Sequence, residues 1–151
     1  AMDYPQYEVH YEENNMFFNS DYPWMHASLD GELIERVYPE DGGEVMIRRG
    51  ILEIKTTNIL QTMQKEKWND RIPDNYYIQI LHYLAVTGWD FVILKAQLKS
   101  EYRFGVMLTT RHYRIDREDV QEDIDYLIEA ERRFWNCVVT GTRPNLILPV
   151  I

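Results

Sequence analysis

Asp30 and the run Glu53-Ile54-Lys55 are the residues whose types and spacing best suit chemistry. The run lies in Ile51-Leu52-Glu53-Ile54-Lys55, which reads as a short buried strand. Glu53 and Lys55 are two apart, so on a strand they share one face. Burying a charge is costly unless it is paired or ligating. Mg²⁺ keeps several waters, so two carboxylates and one backbone carbonyl suffice as protein ligands. Asp30, Glu53 and the Ile54 carbonyl supply that set, with the Ile54 side chain packed into the core. Such an ion polarises a phosphoryl oxygen and acidifies a bound water. Lys55 beside it could orient that water or stabilise developing negative charge. The same residues also read as Asp30 capping a turn and Glu53–Lys55 forming an ion pair at a strand edge, and spacing alone leaves both readings open.

The elements that would position these groups follow from the apolar pattern. Tyr7, Val9, Tyr11 and then Met16-Phe17-Phe18 flank a polar Glu12-Glu13-Asn14-Asn15 turn and predict a β-hairpin over 7–19. Trp24 to Leu33 is the next strand, broken at the turn-prone pair Asp30-Gly31. Residues 33–49 predict a hairpin with a loose tip at Pro39-Glu40-Asp41-Gly42-Gly43. Thr56 to Arg71 reads as a polar surface crossover, partly helical around 59–67. Its Lys65, Lys67 and Arg71 are candidate phosphate contacts or, equally, members of a solvated loop.

Pro73-Asp74-Asn75 starts a helix that Gly88 stops. Tyr77, Ile80, Leu81 and Leu84 form one apolar stripe on it. Tyr76, Gln79, Tyr83 and Val86 form a second stripe. Gln79 and Tyr83, at i and i+4, share a face; they suggest a site there, or else an exposed Gln beside a half-buried Tyr. Trp89 to Leu98 is a strand, Lys99-Ser100-Glu101 a turn, and Tyr102 to Thr110 the returning strand, which Tyr113 to Ile115 could extend. Asp116 is a candidate N-cap for a long helix striped by Val120, Ile124, Leu127, Ile128, Phe134 or Trp135, and Val138, and Gly141 is its plausible end. The order predicts an α+β fold, a mixed sheet flanked by helices.

Composition narrows the function classes. The chain has 151 residues, 45% hydrophobic and 27% charged, which fits one soluble globular domain. No apolar run approaches the roughly 20 residues of a membrane span, and no signal-peptide pattern opens the chain. Ala1 before Met2 reads as a cloning remnant. The single cysteine, Cys137, excludes an intrachain disulfide and fits a reducing, cytoplasmic setting. Between Trp135 and Val138 it is expected as a packed core thiol. The net charge of −9 argues mildly against nucleic-acid binding. However, Arg48, Arg49, Lys55, Lys65, Lys67 and Arg71 cluster mid-chain, and a nuclease needs carboxylates for its metal. His10, His26, His82 and His112 have no zinc-site spacing. Nucleotide-binding loops and a nucleophile elbow are absent from the sequence.

Several segments taken in order are similar to a known family. Pro23-Trp24-Met25-His26-Ala27-Ser28-Leu29-Asp30-Gly31, Leu52-Glu53-Ile54-Lys55, and Pro73-Asp74-Asn75-Tyr76-Tyr77-Ile78-Gln79 with Tyr83 resemble the YqaJ-type viral recombinases. These are phage alkaline exonucleases related to lambda exonuclease, in the PD-(D/E)xK nuclease superfamily. Glu131-Arg132-Arg133-Phe134-Trp135 with Gly141 and Pro144 resembles that family's last helix and tail. The resemblance spans roughly residues 20–145.

It implies a restriction-endonuclease-like core, α/β/α-like, over residues 2–151. The implied activity is a Mg²⁺- or Mn²⁺-dependent deoxyribonuclease, typically an exonuclease on linear double-stranded DNA, bacterial or phage-encoded. It would work beside a single-strand annealing protein, in a family that often forms rings. Asp30 and Glu53 would be metal ligands, Lys55 the catalytic lysine, and Gln79 and Tyr83 the family's Q-x-x-x-Y helix near the active site and the DNA backbone. The alternative is a catalytically incomplete DNA-binding or assembly module of the same fold. Two departures stand out. Leu29 precedes Asp30 where the family more often has Pro, and no segment here resembles the upstream helix whose glutamate faces the metal, although Glu8, Glu12 and Glu13 lie in that region.

Overall fold

The computed structural model describes residues 6–12, 15–59, 68 and 71–145. In chain order the elements are β1 (Tyr7–His10), β2 (Met16–Phe18), β3 (His26–Ser28), β4 (Gly31–Val37), β5 (Met46–Ile59), α1 (Asp74–Thr87), β6 (Phe91–Tyr102), β7 (Gly105–Asp116), a 3₁₀ turn (Arg117–Asp119) and α2 (Gln121–Thr140). Five strands form a mixed sheet in the order β1-β4-β5-β6-β7, and β2 with β3 forms a separate two-stranded ribbon. The β5–β6 pair is parallel, and the other three pairs of the large sheet are antiparallel. A parallel pair needs a long crossover, and α1 lies in it. The fold is α+β with a mixed sheet, as the residue pattern predicts.

The two helices pack on one face of the sheet. The main core joins Ile51, Val92, Leu94, Ala96 and Leu98 of the sheet to Ile80, Leu81 and Leu84 of α1, Ile124 of α2 and Met25, Ala27 and Leu29 around β3. On the opposite face Tyr7, Leu33, Phe91 and Ile93 make a small cluster with Leu52. Arg114 lies over the Phe91 ring at 4.3 Å and bonds both Glu35 carboxylate oxygens, at 2.8 and 3.0 Å. Arg48 bonds Asp116 at 3.1 Å. Charged side chains thus cover this apolar cluster with their stems and planes while their heads stay paired.

Gly50 locks the central register. It sits opposite Phe91 on β6, and a Cβ there would come within 2.2 Å of the Phe91 ring. The fully buried ring occupies the space a side chain would need. Helix α1 ends as predicted at Gly88, which takes φ 68° and donates its N–H to the Leu84 carbonyl.

Several predicted boundaries are corrected. β1 and β2 do not form a hairpin: β1 pairs with β4 and β2 with β3, because Tyr7 packs on the Phe91 ring, 5.8 Å away, in the cluster across the large sheet. β5 continues to Ile59, because β6 runs beside it to Ser100. Lys99-Ser100-Glu101 therefore stays in strand, and the turn falls at Arg103-Phe104, where Gly105 takes φ 148° to start β7. Of the helix expected around 59–67, Ile59 is strand, and residues 60–67 lie outside the described residues.

Asp116 makes no side-chain cap; its carboxylate is taken by Arg114 and Arg48, and α2 starts only at Gln121. On α2 Ile124 is the fully buried member of the predicted stripe, whereas Phe134, Trp135 and Val138 are exposed. Cys137 is half-buried rather than a core thiol, because that end of α2 runs beyond the sheet-facing core. Among the described residues no helix is long and apolar enough to cross a membrane.

Candidate metal centre

The site forms just before β4 begins, where β5 runs on past it. Their last register pair is Gly31 opposite Leu52, so Asp30 leaves the ladder beside Glu53. Its carboxylate Oδ2 accepts the Ile54 backbone N–H at 2.8 Å, in place of the missing strand. A residue's N–H and C=O point to the same edge of a strand, so the Ile54 carbonyl also faces the Asp30 side. The Ile54 side chain does not enter the core as predicted. It is 48% exposed, because it lies beyond the small cluster on the open face of the sheet, whose partly buried edge is Leu52.

Glu53 shares the helix-side face with Ile51 and is 4% exposed. Lys55 Nζ lies 3.0 Å from its Oε1. The ion pair is therefore present, and Tyr76 of α1 lies beside its lysine. Burial pushes the Glu53 carboxyl from 4.5 up to about 7; Lys55 opposes this, and the Asp30 charge adds to it. Two carboxylates, one buried and repelled by the other, make a place where a small oxygen-seeking cation would relieve both burial and repulsion. The donor set of Asp30, Glu53 and the Ile54 carbonyl fits such a cation with water completing its shell. Among the described residues no group of three or more His, Cys, Asp or Glu side chains is arranged to hold a metal, so at this site two carboxylates and backbone would have to serve.

Helix α1 forms the facing wall. Gln79 donates its amide N–H to the Tyr83 hydroxyl at 2.7 Å. Gln79 is half-buried and Tyr83 is 9% exposed, so the second stripe faces inward. Burial first, then the charge of Glu53, push the Tyr83 hydroxyl up to about 12, with Asp30 adding and Gln79 opposing. Tyr83 therefore keeps its proton and senses both carboxylates. Asp30, Glu53, Ile54, Lys55 and Tyr83 with its partner Gln79 are thus brought together. Arg71 is exposed beside the start of α1 and borders concavities lined by Pro73, Asp74 and Asn75 and by Tyr77 and His112. Lys65 and Lys67 lie outside the described residues.

Three contacts near the site were not singled out in the sequence. Tyr76 places its ring face 5.2 Å from Lys55 Nζ. Trp68 is 3% exposed and packs against Tyr76 at 5.3 Å between ring centroids. His82 bonds Glu131 at 2.7 Å and the His26 carbonyl at 3.0 Å, tying α1 to α2 and β3. The one available signal was Tyr76's position one helical turn before Gln79.

The family profile described as YqaJ-like viral recombinase domain matches residues 3–90, and the chain belongs to this family. That range includes all of Asp30, Glu53, Ile54, Lys55, Gln79 and Tyr83 and leaves β6, β7 and α2 outside it. Among curated proteins the chain is similar to the uncharacterized protein YqaJ of Bacillus subtilis (strain 168), at 35% identity over 99 residues, covering 62% of this chain and 26% of that protein. The chain thus matches about a quarter of that relative's length. No solved structure matches it.

Proposed function

We propose that this chain is the core of a metal-dependent deoxyribonuclease that hydrolyses DNA phosphodiesters. The observation that carries the reading is the convergence of Asp30, Glu53, the Ile54 backbone and Lys55 at one strand end, facing Gln79 and Tyr83. Asp30, Glu53 and the Ile54 carbonyl would hold Mg²⁺ or Mn²⁺. When bound, such an ion supplies Lewis acidity and lowers the pKa of a coordinated water. The Lys55 ammonium lies beside Glu53, where it can orient the nucleophile or offset negative charge building on the phosphate. Gln79 and the protonated Tyr83 hydroxyl can donate to a DNA backbone oxygen. Linear duplex DNA as substrate, exonucleolytic action, work with a single-strand annealing protein and assembly into a homo-oligomer are the finer parts of the proposal, supported by membership of the viral recombinase family.

The test is digestion of end-labelled linear duplex DNA with Mg²⁺ by wild type, Asp30→Ala and Lys55→Ala. The expected result is cleavage by wild type and losses of at least about a hundredfold in each variant, the scale of a single charge-stabilising group. Equal rates in all three would remove these residues from the mechanism. A second reading, a DNA-binding or assembly module without catalysis, is favoured by the lack of a third acidic side chain at the site among the described residues. It predicts salt-sensitive DNA binding that needs no metal and survives Glu53→Gln.

A further inference from the structure

Among the described residues Lys55 has a carboxylate partner and an aromatic one. Its ammonium sits 3.0 Å from Glu53 Oε1 and 5.2 Å from the centroid of the Tyr76 ring, over its face. The second distance is within the range in which an aromatic face attracts a cation. The ring is itself fixed from behind. Trp68 packs on it at 5.3 Å, and Tyr113 of β7 packs on Trp68 at 6.1 Å. The Trp68 backbone carbonyl accepts a 2.6 Å bond from Arg111 Nη1 and a bond from the Tyr113 hydroxyl. Trp68 is therefore a buried peg, clamped by β7 and pressed against the first turn of α1, and Tyr76 stands between that peg and the lysine.

The arrangement has a consequence for the metal site proposed above. A cation held by Glu53 would draw on the same carboxylate that anchors Lys55, and would repel the ammonium. Glu53 alone would then be a poor restraint on a side chain with four rotatable carbons. The Tyr76 face makes no demand on Glu53 and bears on the ammonium from the helix side. We infer that Tyr76, backed by Trp68, is a positioning residue that holds the Lys55 ammonium at that site when Glu53 is engaged elsewhere. This rests on the nuclease reading for its importance, whereas the restraint on Lys55 stands by itself. The relevant property of Tyr76 is its ring face, since the structure gives its hydroxyl no role at Lys55.

The experiment compares Tyr76→Phe, which keeps the face, with Tyr76→Leu, which keeps apolar bulk. The first readout is the side-chain NMR signal of Lys55, assigned by its loss in Lys55→Met, recorded with and without Mg²⁺. Wild type and Tyr76→Phe should show ring-current-shifted, ordered ε-methylene protons under both conditions. Tyr76→Leu should lose the ring-current shift, and with Mg²⁺ the signal should become that of a mobile lysine. The second readout is single-turnover cleavage of linear duplex DNA. Tyr76→Leu should lower the maximal single-turnover rate about tenfold with the half-saturating concentration little changed, and Tyr76→Phe should keep most of the rate. An equally ordered Lys55 in Tyr76→Leu would overturn the inference, as would loss of order without loss of rate. If wild type cleaves no DNA, the nuclease reading fails separately, and the NMR comparison still decides whether the ring restrains the lysine.

Discussion

Glu53→Gln should stabilise the metal-free fold at pH 8 and lose that advantage at pH 5. Glu53 is 4% exposed, and burial above all pushes its carboxyl from 4.5 up to about 7. Between those values the folded chain holds a proton that the unfolded chain has released. Stability therefore falls as pH rises through that window and stays reduced above it. At about 1.4 kcal/mol per pK, the ionised carboxylate costs the fold roughly 3 kcal/mol above pH 7. Glutamine keeps the shape and an oxygen for Lys55 but removes the charge. It also weakens a charged hydrogen bond of the kind worth about 1.5–3 kcal/mol, only part of which the amide oxygen retains. The net expectation is a gain of about 1–2 kcal/mol at pH 8, or roughly 2–8 °C in Tm for a chain of this size. Thermal and urea unfolding in EDTA at both pH values would measure it. Added Mg²⁺ should then raise the Tm of wild type and leave the variant unmoved, because only a ligand-binding native state gains from the ligand. A Glu53→Gln variant less stable than wild type by more than about 1 kcal/mol at pH 8 without metal would refute this. Glu53 would then serve chiefly as the ion-pair partner of Lys55.

Other outcomes follow from single contacts. The Glu131 hydrogen bond raises the His82 pKa above 6.5, against the effect of burial and with help from the His26 carbonyl. Its stabilisation is fully present below pH 6.5 and fades as pH rises through the raised folded value. Glu131→Gln should therefore cost about 1 kcal/mol at pH 5.5 and less at pH 9, read by urea midpoints; an equal cost at both values would count against a charged His82. Gly50→Ala should destabilise by at least about 2 kcal/mol, because Phe91 fills the space its Cβ needs; thermal unfolding within about 1 °C of wild type would contradict the pairing of Gly50 with Phe91. Asp30→Asn should lower the Glu53 pKa by removing a neighbouring charge that raises it; an unchanged carboxyl titration by NMR would place Asp30 too far away to share a cation.

The grouping of the candidate residues was legible because it depends on residue types at fixed spacing. Glu53 and Lys55 share a strand face whatever surrounds them, and Gln79 and Tyr83 share a helix face. Gly88 ends α1 for a local backbone reason, so that boundary was readable too. The pairing of β1 was not, because Tyr7 finds Phe91 and Leu33 only across the assembled sheet. The apolar residues of α2 misled in the opposite direction: their spacing is helical, yet Phe134, Trp135 and Val138 remain exposed. Ile54 shows the same limit. Strand parity sends it to the face opposite Glu53, but nothing local says that face is open at that point. Nothing in the sequence ties Trp68 or Tyr76 to Lys55, because that relation depends on Trp68 being held by Arg111 and Tyr113 of β7.

The central claim is that Asp30 and Glu53 together hold one divalent cation. Titration of the full chain with Mn²⁺, following free Mn²⁺ by electron paramagnetic resonance, tests it without requiring turnover. Wild type should show one site, displaced by Mg²⁺, retained in Lys55→Ala and lost in Asp30→Ala and in Glu53→Gln. A wild type that binds no Mn²⁺ at millimolar concentration, or an Asp30→Ala variant that binds it as well as wild type, would contradict the claim.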